Sequence, residues 1–409
     1  MKTKANQLSE YEILIKLSKK NEVRVDNHKN YKRTPPFYYD SLRHAMSAYF
    51  NTFHSHNAMY DFYAQGYILS KSKGYIGHNL DEDNTVLGII GFERFFELFL
   101  KDILTKTNIN LVLQAKEDNR NLSIDSLITQ VETKSFIPKK NNDKTLSIPF
   151  QQTIKRFYKL IELVKNGNTD SKILRKFSNI LKKYSFLESS SYEATFKLVN
   201  WYRDRILHNG SELPSLWLLD YIVTQRCVPI ITDIIAAEKK ILGESMFYFT
   251  TVTGINVLEE LNKIKFEFDS LNNQDKIGDV YAILLKIGHL KELGRANLNM
   301  NYFVRNYNHA GYEYNYRDPI GRGKRFAEAE KGSSTNQGHP HFKRIAVCPC
   351  CGENSMVVYC ETVQDPFSNP SKKENITWVK CYTCDYHLRF NVGEPIVFGL
   401  HSELIFETK

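Results

Sequence analysis

The feature that most limits how this chain folds is a spacing that occurs twice near its end. Cys348-Pro349-Cys350-Cys351-Gly352 and Cys381-Tyr382-Thr383-Cys384 each contain a Cys-x-x-Cys. Two residues between thiolates form a tight turn that points both sulfurs, and the turn's amides, at one ion. Two such turns brought together by a hairpin complete a tetrahedral shell from Cys348, Cys351, Cys381 and Cys384, the donor set of a structural Zn2+ site. Four thiolates close the coordination sphere, so this zinc is expected to hold the fold rather than carry out chemistry. Between the pairs, Met356–Val363 and Ile376–Lys380 read as strands, and Tyr386–Val392 as a third. The gap of 29 residues exceeds the usual window, and the excess falls in Asp365–Lys373, where Pro and Ser cluster. Cys350, Cys360 and His387 remain alternative ligands, although each lacks a partner at ligand spacing.

Six of the seven cysteines crowd into residues 348–384, which is not how a secreted disulfide scaffold distributes them. The N-terminus carries no signal-peptide pattern and no segment approaches a membrane span, so a cytoplasmic protein is expected. The formal charge of +9 is unevenly placed: residues 1–344 carry 50 Lys+Arg against 38 Asp+Glu, and residues 345–409 carry 5 against 8. A basic body favours an anionic partner, nucleic acid being the commonest, while solubility alone is the competing explanation.

The fold class expected is mainly α: an antiparallel helical bundle with an N-terminal helical extension and a small C-terminal β ribbon. Residues 1–78 form a basic arm, ending at Thr34-Pro35-Pro36, and an aromatic-rich helix over 39–73. Residues 79–245 form the bundle. Its first helix, at about 84–107, places Ile89, Phe92, Phe96, Phe99, Leu100 and Ile103 on one face and Glu93, Glu97 and Lys101 on another. A polar stretch at 116–146 separates it from helices at about 148–166, 171–186 and 191–208. The last of these opens with the capping box Ser190-x-x-Glu193 and closes at Asn209-Gly210. A long helix from Ser215 to about Leu242 is bent, if anywhere, at Pro229. Residues 246–299 add helices at about 255–269 and 275–293. Residues 300–344 read as a basic, aromatic linker containing Arg322, Lys324 and Arg325. It either stacks on unpaired bases or packs its tyrosines on neighbouring domains.

The helix over 191–208 carries the pattern that suggests chemistry. Tyr192, Phe196, Val199, Ile206 and Leu207 form an apolar stripe, and Arg203 falls in the middle of it. A guanidinium there needs an anionic partner or an interface. Asp204 and His208, four apart, meet on another face, where a carboxylate fixes the imidazole's tautomer. Arg203 and His208, five apart, are separated by roughly 140° on an ideal helix. Within one chain they converge only if the helix unwinds near Asn209-Gly210, and convergence is easier if two copies of the helix pack together. The structural alternative is an Arg203–Asp204 ion pair, with His208 merely ending the helix.

Arg203, Asp204 and His208, near the end of a helix, resemble the HEPN superfamily, whose ribonuclease members carry Arg, a polar residue and His after four to six intervening positions. The flanking helices at 84–107 and 215–242 extend the likeness over residues 80–245. The stretch at 116–146 departs from the pattern, and the first 75 residues and the ribbon have no counterpart in it. The resemblance implies metal-independent cleavage of RNA by a homodimer, with Arg203 and His208 catalytic, Asp204 assisting, and Arg205 and Asn209 beside them on the RNA. A role in phage defence or a toxin system, with an activating or antitoxin partner, is implied in the same way. The competing classes are a non-catalytic nucleic-acid-binding module and a protein-interaction scaffold.

Overall fold

The computed structural model describes residues 38–53, 82–116, 123–141, 144–167, 171–209, 212–242, 249–270, 283–299 apart from 285, 319–332, 341–363 and 373–389. The basic arm, and the part of the aromatic-rich helix beyond residue 53, lie outside them.

The chain is mainly helical, with a small antiparallel sheet near its C-terminus. Helix α1 (Tyr38–Asn51) packs along α2 (Glu82–Thr107), the central helix of the bundle. All six apolar residues expected on one face of α2 are buried, and so are Phe95 and Leu104. The helix is therefore covered on several sides: by α1, by α4 (Phe150–Lys165), by α5 (Lys172–Leu181) and by α6 (Ser190–Asn209). Small residues set the closest approach. A Cβ on Gly91 would lie 2.8 Å from the Cα of Ala45. Aromatic rings fill the space between helices, with Phe96 and Phe196 centroids 5.0 Å apart and Phe157 and Phe177 at 5.5 Å.

The described residues of the stretch at 116–146 are folded rather than a structureless separator. They contain α3 (Ile124–Glu132), which Ser123 caps by accepting from the Ser126 N–H at 3.2 Å, and a two-stranded hairpin of β1 (Lys140–Asn141) and β2 (Lys144–Thr145). Glu132 reaches the start of α5, accepting from the Ser171 hydroxyl at 2.7 Å and the Ile173 N–H at 3.2 Å.

Three sequence expectations shift on inspection. The hydroxyl that caps α6 belongs to Ser189, which accepts from the Ser191 N–H, while Glu193 pairs with Lys197 instead of closing a box. The long helix after Ser215 is irregular just before Pro229. It runs as α7 (Leu216–Tyr221), a π-helical turn (Ile222–Cys227) and α8 (Val228–Leu242), and the Val228 N–H donates to Val223. The wider turn accommodates the donor that proline lacks. Helix α9 (Val257–Ser270) follows close to its expected place, and the helical residues 286–299, here α10, run past the expected end at 293, while the expected start at 275 lies outside the described residues.

The supposed linker is the largest difference. Residues 319–329 form α11 (Pro319–Ala329), and His341–Val347 forms a strand, β3. This strand pairs with β4 (Asn354–Val363), which pairs with β5 (Lys373–Cys381), which pairs with β6 (His387–Arg389). Among the described residues the ribbon thus has four strands, beginning before its first cysteine.

The sheet end is fastened to the helices by specific bonds. Arg295 of α10 holds Glu292 through two hydrogen bonds, at 2.6 and 2.8 Å, and donates to the Asp385 carbonyl at 2.6 Å. Glu292 accepts from the His387 N–H at 2.6 Å, and the Val252 N–H donates to the Cys350 carbonyl at 3.0 Å. Within the bundle, the fully buried Lys291 meets Asp220 at 2.5 Å and Thr52 at 2.8 Å, so α10 is also tied to α1 and α7.

Candidate active site and metal centre

The four expected cysteines come together. Their ligand atoms all lie within 4.8 Å of one another, and all four residues are buried. Cys348 and Cys384 sulfurs are 3.6 Å apart, as are those of Cys351 and Cys381. A tetrahedron of sulfurs ~2.3 Å from a metal has edges of ~3.8 Å, so the set suits a tetrahedral ion. No pair is disulfide-bonded. Burial, followed by hydrogen bonds with the other three, pushes the Cys348 thiol well above its ordinary range. A cation held by the four sulfurs would offset that cost and let the thiolates form.

Each turn has the local geometry the spacing calls for. The Cys350 N–H points at the Cys348 sulfur at 3.4 Å, and Gly352, with φ of 73°, closes the turn by donating to the Cys348 carbonyl at 2.9 Å. The alternative ligands fall elsewhere. Cys350 faces the Leu293 carbonyl, Cys360 lies 3.1 Å from His341 Nε2, and the His387 ring packs edge-on against Phe53.

On α6, Phe196, Val199 and Ile206 are buried as expected, but Leu207 is 52% exposed. Arg203 is not stranded in the stripe. Its guanidinium donates to Asp204 at 2.8 Å, and the two side chains are 37% and 46% exposed. Asp204 also accepts from Asn200 at 3.1 Å, so it does not engage His208. His208 is exposed and makes no hydrogen bond or ion pair among the described residues. The helix continues to Asn209, so Arg203 and His208 are not brought together within one chain. The Asn209 side chain and Gly210 lie outside the described residues.

Arg205 crosses the Trp201 ring at 4.2 Å and pairs with Glu212. Trp201 is itself exposed and falls on the same side of α6 as His208, whereas Leu207 falls nearer Arg203. Arg322 and Arg325 are exposed on α11, whereas Lys324 is held by Glu353 at 3.0 Å.

Sequence reasoning missed Glu93. It was expected on the polar face of α2 but is 6% exposed, because α6 packs across that face. Burial, and then the Glu97 carboxylate, raise its carboxyl to about 7, while Arg203 and Lys101 act in the opposite direction. The Arg203 guanidinium is in turn held protonated first by its bond to Asp204, with Glu93 and Glu97 adding to it. The helical wheel of α2 alone held no signal for this, since the covering element is remote in sequence.

No family model, curated protein or solved structure matches this chain. No helix among the described residues is long and apolar enough to cross a membrane.

Proposed function

We propose that the protein is a metal-independent endoribonuclease acting as a homodimer, with its site assembled from two copies of α6 and with Zn2+ in the four-cysteine centre as a structural ion. The observation that carries this reading is that the last turns of α6 leave His208 exposed with two exposed apolar groups, Trp201 on the side of His208 and Leu207 on the side of Arg203. Apolar side chains at the end of a helix that also holds Arg203 and His208 suit packing against a second copy across a twofold axis. Such packing supplies the convergence that a single helix denies.

In that arrangement His208 takes the proton from a ribose 2′-hydroxyl as the oxygen attacks the adjacent phosphorus. Arg203 holds the phosphate and stabilises charge as it builds on the phosphorane. The phosphorus–O5′ bond breaks, and the leaving oxygen takes a proton from the imidazolium of the second copy. The products are a 2′,3′-cyclic phosphate and a 5′-hydroxyl, and DNA is inert because it lacks the nucleophile. The Arg203–Asp204 pair is no obstacle: an ion pair this exposed contributes about 0–1 kcal/mol, less than a bidentate phosphate contact supplies. Asp204 then serves as the rest position of the guanidinium.

The test is cleavage of a labelled RNA with metal chelated. His208→Ala and Arg203→Ala are each expected to reduce the rate by at least about a hundredfold while leaving the dimer intact, as judged by light scattering. The second reading is a non-catalytic RNA-binding protein, favoured by the pairing of Arg203 within its own chain. It is supported instead if neither the wild type nor the variants cleave the RNA while all three bind it alike.

A further inference from the structure

Residues 319–329 of the expected linker lie on the ribbon as α11, whereas 300–318 and 333–340 lie outside the described residues, and α11 brings aromatic rings and cations into one row. Gly323 of α11 approaches the second metal turn so closely that a Cβ there would lie 2.2 Å from Thr383 Oγ1 and 2.9 Å from its backbone nitrogen. That contact seats the helix beside Tyr382, the neighbour of Thr383 between two of the cysteines. Phe326 then lies over Tyr382, with centroids 6.1 Å apart and planes at 22°. Arg322 lies over the Phe326 ring at 5.3 Å, and Lys380 over Tyr382 at 5.3 Å.

The row is rigid on its inner side. Glu330 accepts from the Tyr359 and Tyr382 hydroxyls, both at 3.0 Å, and Tyr359 stacks on Trp378 at 4.2 Å and 9°. On its outer side Phe326 is 47% exposed. Arg322 and Arg325 are exposed next to it.

We infer that this face of α11 and the ribbon is a platform for single-stranded nucleic acid, in which a base takes the place of the Arg322 guanidinium on the Phe326 ring, and Arg322, swung outward, follows the phosphates with Arg325 and Lys380. Aromatic rings accept any base, and the flanking cations supply the charge that a polyanion requires. No group in the row is arranged to read a 2′-hydroxyl, so single-stranded RNA and single-stranded DNA share the recognition chemistry. A duplex keeps its bases stacked inside and offers no face to Phe326. The inference deepens the ribonuclease reading by giving the enzyme a second contact with its substrate strand, yet the platform stands or falls separately.

The experiment uses the full-length, metal-loaded protein and a fluorescently labelled oligodeoxynucleotide, which binds without being cleaved. Anisotropy is expected to show that Phe326→Ala weakens binding about tenfold, within the range for loss of one stacked base. Arg322→Gln is expected to weaken binding and reduce the slope of log affinity against log salt by about one. The same single strand in RNA form should bind within a few-fold of the DNA, and a duplex far more weakly. Unchanged affinity in Phe326→Ala with metal content retained overturns the platform, as does equal affinity for duplex. Preference for an acidic peptide over the single strand also overturns it. If Phe326→Ala loses affinity while His208→Ala cleaves RNA normally, the platform stands and the ribonuclease reading falls.

Discussion

Glu93 is buried beside the Arg203–Asp204 pair with a carboxyl raised from 4.5 to about 7. Because the folded chain binds this proton more tightly than the unfolded one, stability falls as pH rises from about 4.5 to 7 and levels off above. Glu93→Gln removes that dependence. Denaturant unfolding at pH 8 is expected to show the variant more stable than wild type by up to about 3 kcal/mol, with little difference at pH 4.5. Parallel pH profiles for the two proteins would contradict this account of the site. Glu93 also shows where residue-level reading reaches its limit. The four thiols were legible because Cys-x-x-Cys turns fix their own geometry, and Phe92, Phe96 and Phe99 because period alone places them. The environments of Arg203, Glu93 and Leu207 depend on which remote helix covers α2 and on what leaves the end of α6 open, and no local pattern encodes either.

Among the elements, helices with strong periodicity, such as α2 and α4, appeared close to where the sequence placed them. Helix α11 did not, because Gly321 and Gly323 lower its intrinsic propensity and the surrounding charges resemble a linker. Its glycine is a packing requirement. Gly323→Ala adds a methyl group against Thr383, so α11 must shift, and overpacking of this kind costs about 1–3 kcal/mol. A lowered thermal midpoint is expected, together with weakened oligonucleotide binding, since Phe326 moves with the helix. Gly91 tests the bundle in the same way. Gly91→Ala gains up to about 1 kcal/mol of helix propensity but places a Cβ 2.8 Å from the Ala45 backbone, so net destabilisation in a denaturant titration is expected. A neutral or stabilising result would mean that α1 moves away from α2 at little cost.

At the scale of the molecule, the sheet and helices share bonds at Arg295, Glu292, His387, Val252 and Cys350. The charge division drawn from sequence is altered by this architecture, because basic residues of α11 and β3 lie on the ribbon rather than apart from it. Elemental analysis is expected to find one zinc per chain, and Cys381→Ser with Cys384→Ser to abolish it. Chelation should then lower the unfolding temperature of the helical signal as well as the ribbon, because α10 loses its fastening to the metal turns. The central claim concerns chemistry, and the most direct measurement uses a DNA strand carrying a single ribonucleotide, incubated with the protein in chelator and analysed by mass spectrometry. Cleavage on the 3′ side of that nucleotide, leaving a 2′,3′-cyclic phosphate and a 5′-hydroxyl and lost in His208→Ala, is the predicted result. Products bearing a 3′-hydroxyl and 5′-phosphate, or cleavage that persists in His208→Ala, would contradict it.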